Sequence, residues 1–165
     1  MGVSFNADEI FEMAEQIERN GAKFYRTAAE QHADDEEARK LLLGLAVMED
    51  EHEKTFAAIR AEIISGPPVE NVYDPDDIAA LYLQSIADGR VFDIKKDPSD
   101  IIAGGKTLEE ILKIAISLEK DSIIFYNSFR DMVPGQSGKD KIDYIINEEK
   151  QHIVGLSNQL AARGK

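Results

Sequence analysis

The sequence predicts an all-α protein, a four-helix bundle made of two helical hairpins joined by a long crossover. Three observations lead to this prediction. Four segments repeat apolar residues at intervals of three and four, capping residues precede them, and a Glu-x-x-His motif occurs once in each half. Since 165 residues is within the usual size of one domain, we expect a single domain over residues 1–165.

Start signals for the long helices recur as a capping residue with an acidic residue three positions later. Such a pair satisfies free backbone N–H groups at the beginning of a helix. The predicted pairs are Asn6 with Glu9, Asp34 with Glu37, Thr107 with Glu110 and Ser137 with Asp140.

The first hairpin is predicted over residues 7–64, with helices at about 7–31 and 35–64. The link at 32–34 is short, so the two helices should be antiparallel neighbours. Apolar residues at helical spacing place one face of each helix in the core. These faces are Ile10, Ala14, Ile17, Gly21, Phe24 and Ala28, and then Ala38, Leu41, Leu45, Met48, Phe56, Ile59 and Ile63.

Residues 66–105 differ in composition, with Gly and Pro near their ends, and are predicted to form the crossover. An Asp-Pro pair at 74–75 predicts a short helix over 78–87, ended by Gly89. A second Asp-Pro pair at 97–98 predicts another short helix, which should stop at the following glycine pair.

The second hairpin is predicted over residues 107–162, with helices at about 108–132 and 138–162 and a short link at 133–137. These helices should also be antiparallel neighbours. Their apolar faces are Leu108, Ile111, Ala115, Leu118, Phe125 and Phe129, and then Ile142, Ile145, Leu156 and Leu160.

The two hairpins carry the same polar residues at nearly the same spacing. The segment AEQIERNGAKFY aligns with AISLEKDSIIFY, which pairs Glu18 with Glu119. Further along, the Glu-x-x-His motif at 49–52 pairs with the motif at 149–152, again displaced by about 100 residues. Two copies of one hairpin should therefore meet around a pseudo-twofold axis.

All of these polar residues lie on or beside the predicted apolar faces. Uncompensated buried carboxylates cost several kcal/mol each and repel one another. Two divalent cations balance four carboxylates, and oxygen with imidazole nitrogen suits iron or manganese. One such residue alone would indicate a solvated acid or a core histidine, but duplication of the set favours a metal site. The predicted ligands are Glu18, Glu49, His52, Glu119, Glu149 and His152.

With these motifs the sequence resembles the rubrerythrin branch of the ferritin-like superfamily, over both hairpins. The resemblance implies a ferritin-like bundle that holds two iron ions, with manganese or zinc as substitutes. It also implies that Glu49 and Glu149 bridge the metals, that Glu18 and Glu119 are terminal ligands, and that each histidine binds one metal. The four glutamates would then be the catalytic residues.

Neighbouring residues and departures from the family limit this assignment. Glu148 is an alternative to Glu149, although the repeat and the spacing to the histidine favour Glu149. The family often has a further Glu three residues after the helix-three ligand, and Ser122 occupies that position here. Tyr25 and Tyr126 lie two turns beyond a ligand glutamate; we favour core tyrosines with satisfied hydroxyls over hydrogen bonds to ligands or radical chemistry.

Composition narrows the partners. The formal net charge of −13 disfavours nucleic acid and anionic lipid. No apolar run approaches a membrane span and no signal segment is evident, so a cytoplasmic protein is expected. The absence of cysteine excludes disulfides, iron–sulfur clusters and thiolate zinc sites.

The leading functional hypothesis is a diiron oxidoreductase that reduces hydrogen peroxide or dioxygen and acts against oxidative stress. Rubrerythrins add a cysteine-rich domain that delivers electrons, so here a separate electron-donor protein is expected. The alternatives are an iron-binding, ferroxidase-type sequestration protein without a dedicated redox partner, and a bundle that serves only as an interaction module. The long crossover also permits a homodimer, with exchange of hairpins between protomers.

Overall fold

A computed structural model describes residues 7–66, 78–87 and 95–164, and in these ranges it contains helices and no strand. Four helices are long and two are short, and the long ones correspond to the four predicted from periodicity. The helices are α1 Ala7–Gln31, α2 Glu36–Ser65, α3 Ile78–Ala87, α4 Ser99–Ile102, α5 Leu108–Arg130 and α6 Gln136–Arg163.

The bundle consists of two hairpins, as predicted. Helix α1 packs most extensively against α2, and α5 packs most extensively against α6. Contacts of α1 with α5 and of α2 with α6 join the hairpins, while α4 packs on α1 and α3 packs on α5. The crossover helices therefore lie against the face formed by the first helix of each hairpin.

Two apolar clusters fill the described core. One contains Phe11, Phe56, Phe125 and Phe129, and the other contains Phe24, Leu42, Leu45, Ile111 and Leu156. Each long helix contributes residues to both clusters, and the predicted metal ligands lie between these two groups of residues. Along α1, for example, Glu18 comes between Ala14 of the first cluster and Phe24 of the second. A buried polar layer thus separates two apolar layers.

Two of the predicted helix caps differ in the structure. Helix α2 is capped by Asp35, whose side chain accepts a 2.9 Å hydrogen bond from the Ala38 backbone N–H, so the prediction of Asp34 was wrong by one residue. Asp35 has the extended backbone that a cap requires, whereas Asp34 still belongs to the turn. The predicted cap Asn6 lies outside the described residues.

The start of α6 also differs from the prediction. Ser137 does not cap it, because the helix already begins at Gln136 after Gly135, whose φ of 77° is in the left-handed region that glycine adopts easily. The capping box of Thr107 and Glu110 at the start of α5 is confirmed, with both reciprocal hydrogen bonds present.

The remaining boundaries agree closely with the prediction. Helix α5 ends two residues before the predicted 132, and α2 extends one residue beyond 64. The short helix over 78–87 is confirmed, and α4 follows Pro98 as predicted, with Gly105 at a φ of 76° after it. Gly89 lies outside the described residues. Among the helices of the described ranges, none combines the length and apolarity that crossing a membrane requires.

Candidate metal centre

The six residues predicted as ligands come together in the polar layer of the bundle. Helix α1 supplies Glu18, α5 supplies Glu119, and α2 and α6 each supply a Glu-x-x-His pair. Positions three apart on a helix share a face, so each pair points both side chains inward. All six are buried, and none exposes more than 4% of its surface.

Their ligand atoms form two groups that share members. Glu18, Glu49, His52 and Glu149 form one group, with one potential ligand atom from each residue within 4.8 Å of the others. The second group, by the same criterion, is Glu49, Glu119, Glu149 and His152. Since Glu49 and Glu149 belong to both groups, the arrangement suits two neighbouring cations joined by two carboxylates.

Glu149 lies between the two imidazole rings. Its Oε1 is 3.0 Å from Nδ1 of His52, and its Oε2 is 3.0 Å from Nδ1 of His152. The two rings are nearly parallel, with centroids 5.6 Å apart. The remaining approaches are longer: Nδ1 of His52 is 3.6 Å from Oε2 of Glu18, and Nδ1 of His152 is 3.3 Å from Oε1 of Glu49 and 3.5 Å from Oε1 of Glu119.

These atoms approach one another without the alignment of hydrogen bonds. Within the described ranges, both carboxylate oxygens of Glu149, one oxygen each of Glu18 and Glu49, and Nδ1 of both histidines are buried without a hydrogen-bond partner. Buried polar atoms without partners are costly and uncommon. A cation that accepts their lone pairs removes this cost, so the residues present fit a metal ion.

The electrostatics of the cluster also favour added positive charge. Burial and the neighbouring carboxylates raise the pKa of Glu149 to about 8 and that of Glu49 well above its usual range. Burial acts to lower the pKa of both imidazoles, but contacts with the carboxylates outweigh it and raise the pKa of His52 to about 11 and of His152 to about 9. Protons or metal ions must therefore balance the buried carboxylates.

Two tyrosines connect the hairpins through the terminal glutamates. The hydroxyl of Tyr25 on α1 donates to Oε1 of Glu119 on α5, and the hydroxyl of Tyr126 on α5 donates to Oε1 of Glu18 on α1. Burial and the adjacent carboxylates raise the pKa of both phenols well above the usual range, so the phenols remain donors. Both hydroxyls are satisfied, but their partners are predicted ligands, which is the alternative that the sequence analysis ranked lower.

Glu148 has a role that the sequence analysis did not anticipate. Its Oε2 lies 2.9 Å from Nε2 of His52, and its Oε1 accepts a 2.9 Å hydrogen bond from the largely exposed Tyr144. In the first hairpin the equivalent position is Met48, and Nε2 of His152 has no hydrogen-bond partner within the described ranges. The difference between Glu148 and Met48 at equivalent positions of the repeat was the only sign in the sequence that the two histidines have different surroundings.

Gly21 is a second residue whose role was missed, since it was assigned only to an apolar face. A Cβ atom at this position would lie 3.1 Å from Oε2 of Glu49. The absence of a side chain thus makes room for a carboxylate shared by both groups. The repeat again carried the signal, because it pairs Gly21 with another small residue, Ser122.

Comparison with known proteins agrees with this architecture. No protein-family model and no curated protein sequence matches the chain. A crystal structure from Thermotoga maritima, described as a "putative ferritin-like diiron-carboxylate protein", matches with a TM-score of 0.66 and 25% identity over 95% of each chain. The chain therefore has the all-α ferritin-like fold. The likeness and the buried Glu/His cluster together indicate metal binding, while membership of the rubrerythrin branch stays a prediction.

Proposed function

We propose that the protein is a non-haem diiron-carboxylate oxidoreductase of rubrerythrin type, which reduces hydrogen peroxide or dioxygen. The observation that carries this proposal is the sharing of Glu49 and Glu149 between two ligand groups that each contain one histidine. When bound, a pair of irons supplies two electrons, the number that reduces one peroxide to two waters. Mixed carboxylate and imidazole ligands suit iron, with manganese or zinc as substitutes.

The six residues have three roles in this proposal, each shared by two residues. Glu49 and Glu149 would be the ligands shared by both metals, because among the described residues only they belong to both groups. Glu18 and Glu119 would be terminal ligands, each with one oxygen held by a tyrosine of the other hairpin. Oε2 of Glu18 is buried without a hydrogen-bond partner, and Oε1 of Glu119, the oxygen that Tyr25 holds, is the one that lies 3.5 Å from Nδ1 of His152. His52 and His152 would each bind one metal through Nδ1, the nitrogen that faces the carboxylates.

The electron donor in this proposal is a separate protein. Because this sequence has no cysteine, it cannot supply the thiolates of a rubredoxin-type iron centre. A protein with this activity would act in the cytoplasm against oxidative stress.

A ferroxidase-type protein that sequesters iron without a dedicated redox partner is the second candidate. The net charge of −13 supports this candidate, because an acidic protein attracts ferrous ions even if it catalyses no reaction with them. The two candidates differ in the stoichiometry and speed of the reaction with peroxide.

Stopped-flow absorbance on anaerobic ferrous protein mixed with hydrogen peroxide tests the proposal. We expect rapid formation of ferric iron with about two irons oxidised per peroxide, since each of two metals gives one electron. Glu49→Ala should abolish the rapid phase, whereas Glu51→Ala, a change at an exposed acid on the same helix, should preserve it. Equal rates in the wild type and Glu49→Ala would contradict cooperation between two metals, and slow oxidation without fixed stoichiometry would favour sequestration.

A further inference from the structure

A cavity of about 350 Å³ lies beside the candidate metal centre, between α1, α4 and α5. Its buried end contains Glu49, Glu119 and the Tyr25 ring. Exposed residues such as Lys96 and Ser117 also line it, so it leads from solvent to one side of the metal centre. This side belongs to the ligand group that contains His152.

The walls between these two ends are mainly apolar. Ile17 of α1, Ile101 of α4 and Leu118 of α5 are among the side chains that form them. Ser122 also lines the cavity, but its hydroxyl donates a 3.1 Å hydrogen bond to the Leu118 carbonyl of its own helix. An occupant would therefore contact mostly hydrocarbon along its length.

Two small residues keep the inner part of the cavity open. Gly21 and Ser122 both line it, and they occupy equivalent positions in the internal repeat. Any longer side chain at position 122 would extend into this space. Ser122 thus leaves this part of the cavity open.

The volume exceeds what the proposed oxidants need. Hydrogen peroxide or dioxygen is comparable in size to a water molecule, which occupies ~30 Å³ in the liquid. A cavity of about 350 Å³ is more than twice the roughly 150 Å³ that accommodates benzene in a protein core. By this comparison it accommodates roughly ten to fifteen non-hydrogen atoms, near the lower end of the range for ligand pockets.

The charges of the protein limit which molecules of that size could bind in the cavity. Bound metals would neutralise the carboxylates at the buried end, but the net charge of −13 on the whole chain still disfavours an anion. A cation would compete with the metals for the same carboxylates. We propose that this cavity binds an uncharged, mainly apolar organic molecule beside the metal centre, an inference that rests on the proposed function because it places the ligand next to the metals.

Calorimetric titration of metal-loaded protein with 1-nonanol, an uncharged probe of suitable length, tests this inference. We expect saturable binding of one molecule per chain. Ser122→Leu should weaken it by about tenfold or more, because the new side chain occupies the space, and Ile101→Asp should weaken it by placing a charge in an apolar wall. Ser128→Leu is the matched control on the same helix outside the lining, and it should bind as the wild type does.

Proton relaxation of 1-nonanol in manganese-loaded protein locates the probe. Binding beside the metals should accelerate the relaxation of the 1-nonanol protons in the wild type and in Ser128→Leu. Replacement of manganese by excess zinc, which is diamagnetic, should remove this acceleration. No saturable binding, or equal affinity in Ser122→Leu and the wild type, would overturn the inference. Unaltered relaxation would overturn it only in protein that elemental analysis shows to be loaded with manganese. Elemental analysis of the same samples measures their metal content and so tests the proposed function separately. If the protein takes up no metal but binds 1-nonanol fully, the proposed function is wrong and the cavity remains a binding site.

Discussion

At the scale of single residues, the two histidines of the candidate metal centre differ in the partner of their Nε2 atoms. Nε2 of His52 lies 2.9 Å from the Glu148 carboxylate, whereas Nε2 of His152 has no such partner within the described ranges. A carboxylate behind a ligating imidazole fixes the ring orientation and raises its basicity. The two metal positions should therefore differ in affinity.

Replacement of Glu148 tests this difference. Glu148→Gln removes the charge behind His52, so affinity at that position should fall by about 10–100-fold while the His152 position keeps its affinity. Stepwise titration with Co²⁺, followed by visible absorption, resolves the two positions. Glu51→Gln, at the exposed neighbour of His52, is the control and should leave both affinities unchanged. Equal weakening of the two positions in Glu148→Gln would refute a local role.

The terminal glutamates allow a second test at this scale. Glu18→Gln with Glu119→Gln removes two buried charges but keeps oxygens that accept from the tyrosines. The metal-free protein should melt at a higher temperature because repulsion is relieved, and the gain on adding metal should shrink. Calorimetry with and without metal measures both effects. Glu51→Gln with Glu109→Gln, the same charge change at exposed positions, should leave that gain intact.

At the scale of the helices, two glycines allow the effect of helix propensity on stability to be measured apart from the effect of the space that the site requires. Gly44 lies in α2, and a Cβ atom there would meet nothing within 4 Å. Gly21 lies in α1, where a Cβ atom would press on the Glu49 carboxylate. Both are interior helical positions, at which alanine is intrinsically favoured over glycine.

The matched pair Gly44→Ala and Gly21→Ala should therefore behave differently. Gly44→Ala should raise the free energy of unfolding by about 0.5–1 kcal/mol and leave metal affinity unchanged. Gly21→Ala should displace Glu49 and lower the affinity for metal, so that metal stabilises this variant less than it stabilises the wild type. Denaturant titration of both proteins with and without metal measures the effects, and equal stabilisation by metal in both would contradict the close approach to Glu49.

The helices were predictable because their signals are local. Apolar spacing located α1, α2, α5 and α6, and Thr107 with Glu110 marked the start of α5. Residue-level detail failed where backbone conformation decides, as at Asp35, which caps α2 in place of Asp34 because only Asp35 is extended. The spacing also picked out the six residues that cluster.

Three features that depend on the approach between particular helices were not predicted. The contact of Glu148 with His52 joins α6 to α2, and the tyrosine–glutamate pairs join α1 to α5. Neither follows from the spacing along one helix. The cavity likewise depends on where α4 packs, which periodicity does not determine.

At the scale of the whole molecule, the buried charge of the cluster makes stability depend on pH when metal is absent. The folded-state pKa is raised to about 8 for Glu149, about 9 for His152 and about 11 for His52, above the usual 4.5 and 6.5. A group with a raised pKa binds more protons when folded, so its contribution is present at low pH and is lost as pH rises through the folded value.

The metal-free protein should therefore become less stable between about pH 6 and pH 9. Metal ions replace these protons, so the metal-loaded protein should keep its stability across the same window. Melting temperatures in the presence of a chelator, compared with those of metal-loaded protein at each pH, test this expectation. A melting temperature of the chelated protein that rises over this window would contradict the proposed charge balance.

The reciprocal tyrosine–glutamate pairs have a consequence for ancestry. In each hairpin one tyrosine donates a hydrogen bond to the other hairpin, and one glutamate accepts a hydrogen bond from it. Each hairpin also contributes a Glu-x-x-His pair to the same cluster. A single ancestral hairpin paired with a copy of itself would present the same groups, so duplication and fusion of one gene can build this chain from a symmetric two-chain precursor. Fusion would release the two copies from identity, and the difference between Met48 and Glu148 beside the histidines is the kind of divergence that it would allow.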